Sequence, residues 1–235
     1  MPIAFLLGHF LLLMKITRLL SITALLAGAA FITGCATGPT AGPYHVTAYK
    51  PNNPDRVSVK VALSTQHIFV MEGNRCLMAV QGTVGEAKNP TPKGNYHIEA
   101  KIRDKRSGTF GFTSSGGPAD AHKGQNVAVG YPMAFWCEFA PGYGFHQGFV
   151  WSEPRTHGCI RLHKEAAARL FALVKIGTPV SIENTQPEDA TFGKTVQRLD
   201  QRNDPDPPTS QLMSKNWFSD PSTPLLIDQP QQAAQ

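Results

Sequence analysis

Short stretches in which apolar and polar residues alternate constrain this chain more than any other feature of its sequence. RVSVKVAL (56–63) places valine at every second position, which is the period of a strand with one buried face. The run QHIFVME follows, then the turn pair Gly73-Asn74, then RCLMAVQGTV, and this order predicts a β-hairpin. NYHIEAKI (95–102) alternates again. The same pattern returns on both sides of a Pro-Gly turn at 141–142, so the sequence predicts a series of short strands.

One stretch has a clear helical period. HKEAAARLFALVKIG (163–177) puts Leu170 and Val174 on one apolar face, and Gly177 is a suitable C-terminal stop. Residues 106–126 are rich in Gly and Ser and predict a long loop, which in a compact domain is usually functional. Six or more strands with one late helix indicate a mainly β fold, a curled sheet or β-sandwich, and argue against a parallel α/β fold.

The N-terminal segment is predicted to be an export signal that begins at Met14. Lys15 and Arg18 supply its positive charge, and residues 19–32 supply an apolar core too short to span a bilayer comfortably. The core ends in ITGC, which resembles the bacterial lipobox, whose cysteine is linked to diacylglycerol. We therefore expect lipidation at Cys35. An ordinary membrane anchor with a chance cysteine is the alternative.

Composition divides the chain into four expected segments. They are a lipoprotein signal (1–34, with Met14 as an alternative start), a linker (35–55), one domain of ordinary size (56–185) and a polar, proline-rich tail with little order (186–235). The formal net charge of +5 is compatible with an acidic partner such as cell wall. It is too small to indicate nucleic-acid binding.

The remaining cysteines have different expected roles. Cys76 and Cys137 lie in predicted strands. An exported compartment permits a disulfide between them, whereas two buried free thiols are an equally good interpretation. Because a disulfide requires Cα atoms within about 7 Å, the sequence leaves this pair undecided.

Cys159 lies in RTHGCIRLH (155–163), a stretch that is not part of any predicted strand. Three interpretations of this cysteine are possible. One interpretation is a metal site with His146, His157, Cys159 and His163, although this spacing matches no common ligand pattern. Another is a packed thiol beside structural histidines. The third is a catalytic nucleophile.

A nucleophilic cysteine needs particular neighbours, and this segment offers several of them. A free thiol has a pKa of about 8.5, so an imidazole or a cation has to assist its ionisation. Gly158, directly before Cys159, allows backbone N–H groups to approach a developing oxyanion. Arg161 lies on the same side of an extended chain as Cys159 and can bind a carboxylate through two hydrogen bonds. The segment is compatible with catalysis without proving it.

Two separated motifs resemble those of the L,D-transpeptidases, the YkuD-type cysteine enzymes of bacterial cell walls. Their pattern is a histidine, a spacer, then Ser/Thr-His-Gly-Cys, one residue and Arg. Here the histidine is His146 in GFHQG, and the second element is THGCIR (156–161). QGTVGEAKNPTPKGNYHI (81–98) resembles the turn after the family's early hairpin. The resemblance extends from Arg56 to Glu183.

Three departures from the family pattern concern the neighbourhood of the motif. The spacer between His146 and Thr156 is shorter than usual, Thr156 stands where serine is commoner, and Gln147 stands where small residues are usual. These differences bear on the preference for a donor substrate more than on the chemistry.

The resemblance implies a role for each matched residue. Cys159 is the nucleophile and His146 its general base, oriented by the backbone of Gln147. Backbone amides around His157 and Gly158 hold the oxyanion. Substrate binding falls to three residues, Thr156, Arg161 and Gln147. His163 leads into the helix and is expected to have a structural role.

The resemblance also implies a substrate. The stem tetrapeptide of peptidoglycan would acylate the cysteine, and an amine would then take the acyl group from the thioester to form a cross-link. Water as the acceptor would make the protein an L,D-carboxypeptidase. No metal or organic cofactor is implied. The expected location is the periplasmic face of the outer membrane, because Ala36, not aspartate, follows Cys35, with another membrane of the cell envelope as the alternative.

Two other classes compete with this interpretation. A cell-wall-binding lipoprotein with an inactive site is the first, and the complete pair of His146 and Cys159 argues against it. An NlpC-type cysteine peptidase is the second, but that family places its cysteine before its histidine.

Overall fold

A computed structural model describes residues 44–221 and 224–229. The expected export signal and Cys35 lie outside the described residues. The strands are, in chain order, β1 (Val57–Ala62), β2 (His67–Glu72), β3 (Arg75–Thr83), β4 (Gly94–His97), β5 (Ala100–Ile102), β6 (Arg106–Phe112), β7 (Pro118–Asp120), β8 (Val129–Pro132), β9 (Trp136–Ala140), β10 (Tyr143–Gln147), β11 (Ile160–Leu162) and β12 (Pro179–Glu183). The helices are α1 (Lys164–Leu173) and α2 (Thr209–Met213).

A curled main sheet has the order β4-β12-β1-β2-β3-β11-β10-β9-β5. Two of its pairs, β1 with β12 and β10 with β11, are parallel, and the others are antiparallel. β2 and β3 form the expected hairpin, in which Gly73 adopts a φ of +59°. The mainly β architecture with a helix after Cys159 is therefore confirmed.

The alternation in β1 sets which face of the sheet is buried. Val57, Val59 and Val61 are at most 2% exposed, whereas Ser58 and Lys60 are half-buried. α1 packs Ala166, Ala167, Ala168 and Leu170 against the same core. Burial of one strand face and one helix face supplies the main stabilising term of the domain.

The segment 106–126 differs from the loop that its composition predicts. β6, β7 and β8 form a separate three-stranded sheet in the order β7-β6-β8. Its glycines permit close strand contact: a Cβ on Gly111 would lie 2.2 Å from the carbonyl oxygen of Val129, and one on Gly130 would lie 2.0 Å from that of Ser107. Glycines that indicate a loop by composition here allow two backbones to approach.

The C-terminal segment also differs from the expected tail of little order. It contains short 3-10 turns and α2, and it buries Leu212 and Phe218. The amide of Leu199 donates to Oε1 of Gln81 at 2.8 Å, and that of Gln201 donates to the carbonyl oxygen of Val150 at 2.8 Å. A segment that cannot build a core of its own is thus held by a surface that already exists.

Part of the expected linker packs in the same way. Tyr49 forms an isolated parallel bridge with Ile227, and its amide donates to the carbonyl oxygen of Leu77 at 2.9 Å. Val46 and Ala48 are buried. Residues from both ends of the described chain therefore meet on the same surface of the domain.

Cys76 and Cys137 are free thiols. Burial raises the pKa of Cys76 to about 11 and that of Cys137 to about 12, so both remain protonated at neutral pH. Of the two interpretations that the sequence left open, a disulfide or two free thiols, the structure shows two free thiols. In the described part of the chain, no helix has both the length and the apolar character needed to cross a membrane.

Candidate active site

His146 and Cys159 reach the same cavity because β10 and β11 are parallel neighbours. Phe145 pairs with Ile160 and His146 pairs with Arg161, so Cys159, directly before β11, lies beside the first half of β10. The cavity has a volume of about 510 Å³, and His146, Cys159 and Arg161 all line it. Thirteen residues of separation in sequence become adjacency through one pair of parallel strands.

The imidazole of His146 is neutral at neutral pH. The residue is 6% exposed, and burial lowers its pKa to about 4, with a smaller contribution from the positive charge of Arg161. Its Nδ1 atom lies 2.8 Å from the carbonyl oxygen of Gln147. Since a carbonyl oxygen only accepts, Nδ1 carries the proton and Nε2 carries the free lone pair. His146 is thus arranged as a proton acceptor.

The thiol of Cys159 is protonated in the resting protein. Burial raises its pKa above the ordinary value, while the amide of Gly144 and the charge of Arg161 act in the opposite direction. Its Sγ atom donates to the carbonyl oxygen of Gly142 at 3.6 Å. The resting site is therefore a neutral thiol and a neutral imidazole. Proton transfer has to accompany attack on a substrate.

Hydrogen bonds fix the turn that carries Cys159. Thr156 Oγ1 donates to the carbonyl oxygen of Cys159 at 2.5 Å and accepts from the amide of Gly158 at 3.1 Å. Gly158 has a φ of +107°, and a Cβ there would lie 2.4 Å from Cε1 of Tyr143. Thr91 Oγ1 donates to the carbonyl oxygen of Gly158 at 2.9 Å. The hydroxyl of Thr156 and the amide of Gly158 thus serve the turn itself.

Thr91 lies in NPTPKG (89–94), part of the stretch 81–98 that resembles the family's turn after the early hairpin. Its hydrogen bonds connect that stretch to the site. The residue is buried, and its hydroxyl also accepts from the amide of Gly85 at 2.9 Å. One hydroxyl therefore links the end of β3 to the cysteine turn. Sequence reasoning noted the motif but assigned no role to Thr91.

The other two candidate histidines lie in different surroundings. His157 lines the cavity, but its side chain is 63% exposed, with Nε2 3.9 Å from Oε1 of Glu86. His163 is the N-cap of α1 and accepts from the amide of Glu165 at 3.3 Å. His146 is the histidine of this group that is both buried and part of the cavity wall.

Arg161 supplies an unpaired positive charge. Among residues 44–221 and 224–229, its guanidinium has no hydrogen-bond or ion-pair partner. The side chain is half-buried and packs against Gly148, where a Cβ would lie 2.9 Å from Cδ of Arg161. A half-buried cation without a partner on a cavity wall is a suitable site for a carboxylate.

Gln147 was expected to bind substrate, and the structure places its side chain elsewhere. Neighbours on a strand point to opposite faces, so the side chains of His146 and Gln147 diverge. The side chain of Gln147 is buried and lines a smaller cavity of about 90 Å³ together with His163 and Trp217. Its contribution to the cavity of Cys159 is the carbonyl oxygen that holds His146.

The small sheet forms a wall of the cavity that sequence reasoning missed. The residues of this wall carry no obvious chemistry, and the composition of their segment predicts a loop. The available signal in RSGTFGF (106–112) was the spacing of two residues between Phe110 and Phe112, the period of a strand. The wall residues are Ser107, Thr109, Phe110, Tyr131 and Met133.

The metal-site interpretation requires a group of ligands. Among the described residues, no three or more His, Cys, Asp or Glu side chains are grouped to hold a metal ion.

The chain is similar in sequence to a known L,D-transpeptidase. L,D-transpeptidase 1 of Mycobacterium tuberculosis is 25% identical over 130 residues, which cover 53% of this chain and 49% of that protein. The chain thus spans about half the length of the curated relatives it matches.

Solved structures of L,D-transpeptidases are also similar to this chain. An L,D-transpeptidase from Stackebrandtia nassauensis matches with a TM-score of 0.44 and 20% identity, covering 60% of each chain. The catalytic domain of the Enterococcus faecium L,D-transpeptidase matches with a TM-score of 0.41 and 24% identity, covering 54% of this chain and 96% of that one.

A family model defines the relationship. It describes the YkuD L,D-transpeptidase catalytic domain, and it matches residues 56–182, which are more than half of the chain and contain both His146 and Cys159. The chain belongs to the L,D-transpeptidase catalytic domain family.

Proposed function

We propose that this protein is a cysteine-dependent L,D-transpeptidase that acts on peptidoglycan stem peptides. The observation that carries the proposal is a buried, neutral His146 whose tautomer is fixed, on one cavity with the thiol of Cys159. That pair can exchange one proton with a substrate, which acyl transfer through a thioester requires.

The donor peptide binds through its carboxylate. Stem peptides are anionic, and Arg161 is the unpaired cation on the cavity wall. A bidentate contact with a planar guanidinium orients the peptide as well as attracting it. The carbonyl of the third residue is thereby presented to Cys159.

Acylation then proceeds with His146 as the proton carrier. The Sγ atom of Cys159 attacks the carbonyl carbon, and its proton passes to Nε2 of His146. The amide of Gly158 already donates to Thr156, so the neighbouring amides of His157 and Cys159 are assigned to the oxyanion. The C–N bond breaks, the leaving amine takes the proton from His146, and a thioester remains.

An amine completes the reaction. It attacks the thioester and gives its proton to His146, and the departing sulfur recovers that proton. The acyl group ends in a new amide bond, which is a cross-link when the amine belongs to a second stem peptide. Water in place of the amine gives tripeptide and an L,D-carboxypeptidase reaction.

Export as a lipoprotein completes the proposal. The ITGC sequence at Cys35 supports lipidation, which would hold the domain at the periplasmic face of the outer membrane beside its substrate. Labelling of cells with a fatty-acid probe tests this, because Cys35→Ala would abolish the label. A label that survives this substitution would contradict the anchor.

Intact-mass analysis with imipenem tests the nucleophile. A solved structure of one L,D-transpeptidase contains imipenem, so this β-lactam is a suitable acylating probe. We expect one covalent adduct, its loss in Cys159→Ala, and its retention in the control Cys76→Ala, which removes another free thiol. An adduct on Cys159→Ala would contradict the assignment.

Incubation with disaccharide-tetrapeptide then identifies the acceptor. Cross-linked dimers, measured by mass, are the expected product. Tripeptide as the sole product, with an amine acceptor in excess, would show a carboxypeptidase.

A further inference from the structure

The small sheet β6–β8 covers the cavity of Cys159, and a segment beyond the family-matched region holds it. We call residues 106–132 the cover and residues 209–220 the clamp. We propose that the clamp fixes the cover over Cys159 and that Arg106 is the positioning residue through which it does so. This inference rests on the proposed function, because it concerns how that site binds its donor and excludes water.

The guanidinium of Arg106 joins the cover to the clamp. Nη1 donates to the carbonyl oxygen of Gly130 at 2.8 Å and to that of Leu212 at 3.0 Å. Nη2 donates to the carbonyl oxygens of Met213 and Ser214, each at 3.0 Å. The last carbonyls of a helix have no partner within it, so Arg106 satisfies the end of α2. One side chain thereby ties β6, β8 and α2 together.

A second arginine holds the clamp where the chain leaves the main sheet. Arg103 donates from Nη2 to the carbonyl oxygen of Phe218 at 2.9 Å and from Nη1 to Oδ1 of Asp220 at 2.8 Å. The Arg106 guanidinium lies over the Phe218 ring, 4.9 Å from its centroid. The amide of Phe135, where the chain returns, donates to the carbonyl oxygen of Arg103 at 2.8 Å. The clamp therefore binds at the base of the cover, where both connecting strands meet.

These contacts act on the cavity through adjacent residues. Ser107 follows Arg106, Tyr131 follows Gly130, and both line the cavity of Cys159. Tyr131 also lines the smaller cavity to which the C-terminal segment contributes Trp217. Loosening the clamp would displace one wall of the donor site and open the thioester to water.

Without the clamp, the cover would be held in place only by the hydrogen bonds between its own three strands. Those strands are short, and β6 and β8 shift register between Arg106 and Gly111. A small sheet with an interrupted ladder has few contacts of its own to resist local opening. The buried contacts of Leu212 and Phe218 supply what the ladder lacks.

Hydrogen–deuterium exchange of the full chain tests the clamp without reference to activity. In Arg106→Ala we expect exchange of residues 106–132 to rise about tenfold or more, since charged hydrogen bonds are lost, with no change in β1–β3. Arg198→Ala is the matched control, because Arg198 ties the C-terminal segment to the carbonyl oxygen of Thr65, away from the cover. Asp220→Asn is a milder variant that should change exchange in the same direction. Unchanged exchange of the cover in both clamp variants would overturn the inference.

Kinetics separate positioning from a general loss of structure. We expect Arg106→Ala to raise KM for the donor about tenfold and to increase the ratio of tripeptide to cross-linked product. Alkylation of Cys159 by iodoacetamide, a small probe, should not fall, because an opened cover leaves the thiol at least as accessible. A loss of alkylation equal to the loss of turnover would overturn the positioning role. Failure of the wild-type protein to react with imipenem would instead contradict the proposed function and leave the exchange result to be judged separately.

Discussion

The Nδ1 atom of His146 and the carbonyl oxygen of Gln147 lie 2.8 Å apart, although the two side chains point to opposite faces of β10. The backbone of one residue thus selects the tautomer of its neighbour. Burial meanwhile keeps the imidazole neutral. The base form of the site is therefore available over an unusually wide range of pH.

The initial rate of acylation by imipenem should remain constant from neutral pH down to about pH 5. The base is lost only as the pH approaches about 4, the pKa of His146. Initial rates measured by mass between pH 3.5 and 7, with circular dichroism as a check on folding, give the profile. An acid limb centred near 6.5, the ordinary pKa of histidine, would contradict this prediction.

Stability should depend on pH through the same residue. The pKa of His146 is about 4 in the folded protein and about 6.5 in an unfolded chain, so between these values the unfolded chain binds a proton that the folded protein does not. Stability is therefore fully present above pH 6.5 and falls, by up to about 3 kcal/mol, as the pH drops to 4. Urea unfolding at pH 7 and 4.5 measures this loss, and His146→Gln should show less of it. An equal loss in both proteins would show that other groups are responsible.

Gly158→Ala should disable the site by steric conflict. The new Cβ would lie 2.4 Å from the ring of Tyr143, at a φ of +107° that disfavours a side chain. We expect acylation to fall about 100-fold, as a displacement of about 1 Å can cause. Gly177→Ala is the control, since its φ of +88° imposes similar strain in open space. Comparable rates for the two variants would show that the contact with Tyr143 is unimportant.

Arg161→Gln should separate binding from stability. Loss of a charge-assisted contact with the donor carboxylate should raise KM roughly tenfold to 100-fold. Because the cation lacks a partner among the described residues, thermal unfolding should be unchanged or shifted to a higher temperature. The control is Arg155→Gln, whose guanidinium lies over the Trp151 ring and outside the cavity lining. An unchanged KM in Arg161→Gln would place the carboxylate elsewhere.

Much of the main sheet could be predicted from sequence because its signals are local. The valines of β1 alternate within six residues, and the Gly73-Asn74 turn lies between the two strands that it joins. The order of His146 and Cys159, with Thr156 and Arg161 around the cysteine, identified the candidate site in the same way. The strand alternation, the hairpin turn and each of the two motifs, GFHQG and THGCIR, are complete within a few residues of sequence.

The cover and the C-terminal segment were predicted wrongly because their signals are not local. The glycines of the cover indicate a loop by composition, yet Gly111 is needed for contact with Val129, which is 18 residues away. The C-terminal segment lacks a core of its own, yet Arg106 bonds to carbonyls more than 100 residues further along the chain. Amino-acid composition gives no information about contacts between residues that are distant in sequence.

The sequence by itself determined the periodicity of the strands, the family and the identity of the pair His146 and Cys159. Only the tertiary structure decided the state of that pair, because burial sets the pKa of His146 and depends on residues from distant strands. It also decided that the carbonyl oxygen of Gln147 lies against Nδ1 of His146, while its side chain lines a different cavity. The direction of a side chain and the partner of a hydrogen bond are properties of the packed chain, since both depend on which distant segments come to lie beside them.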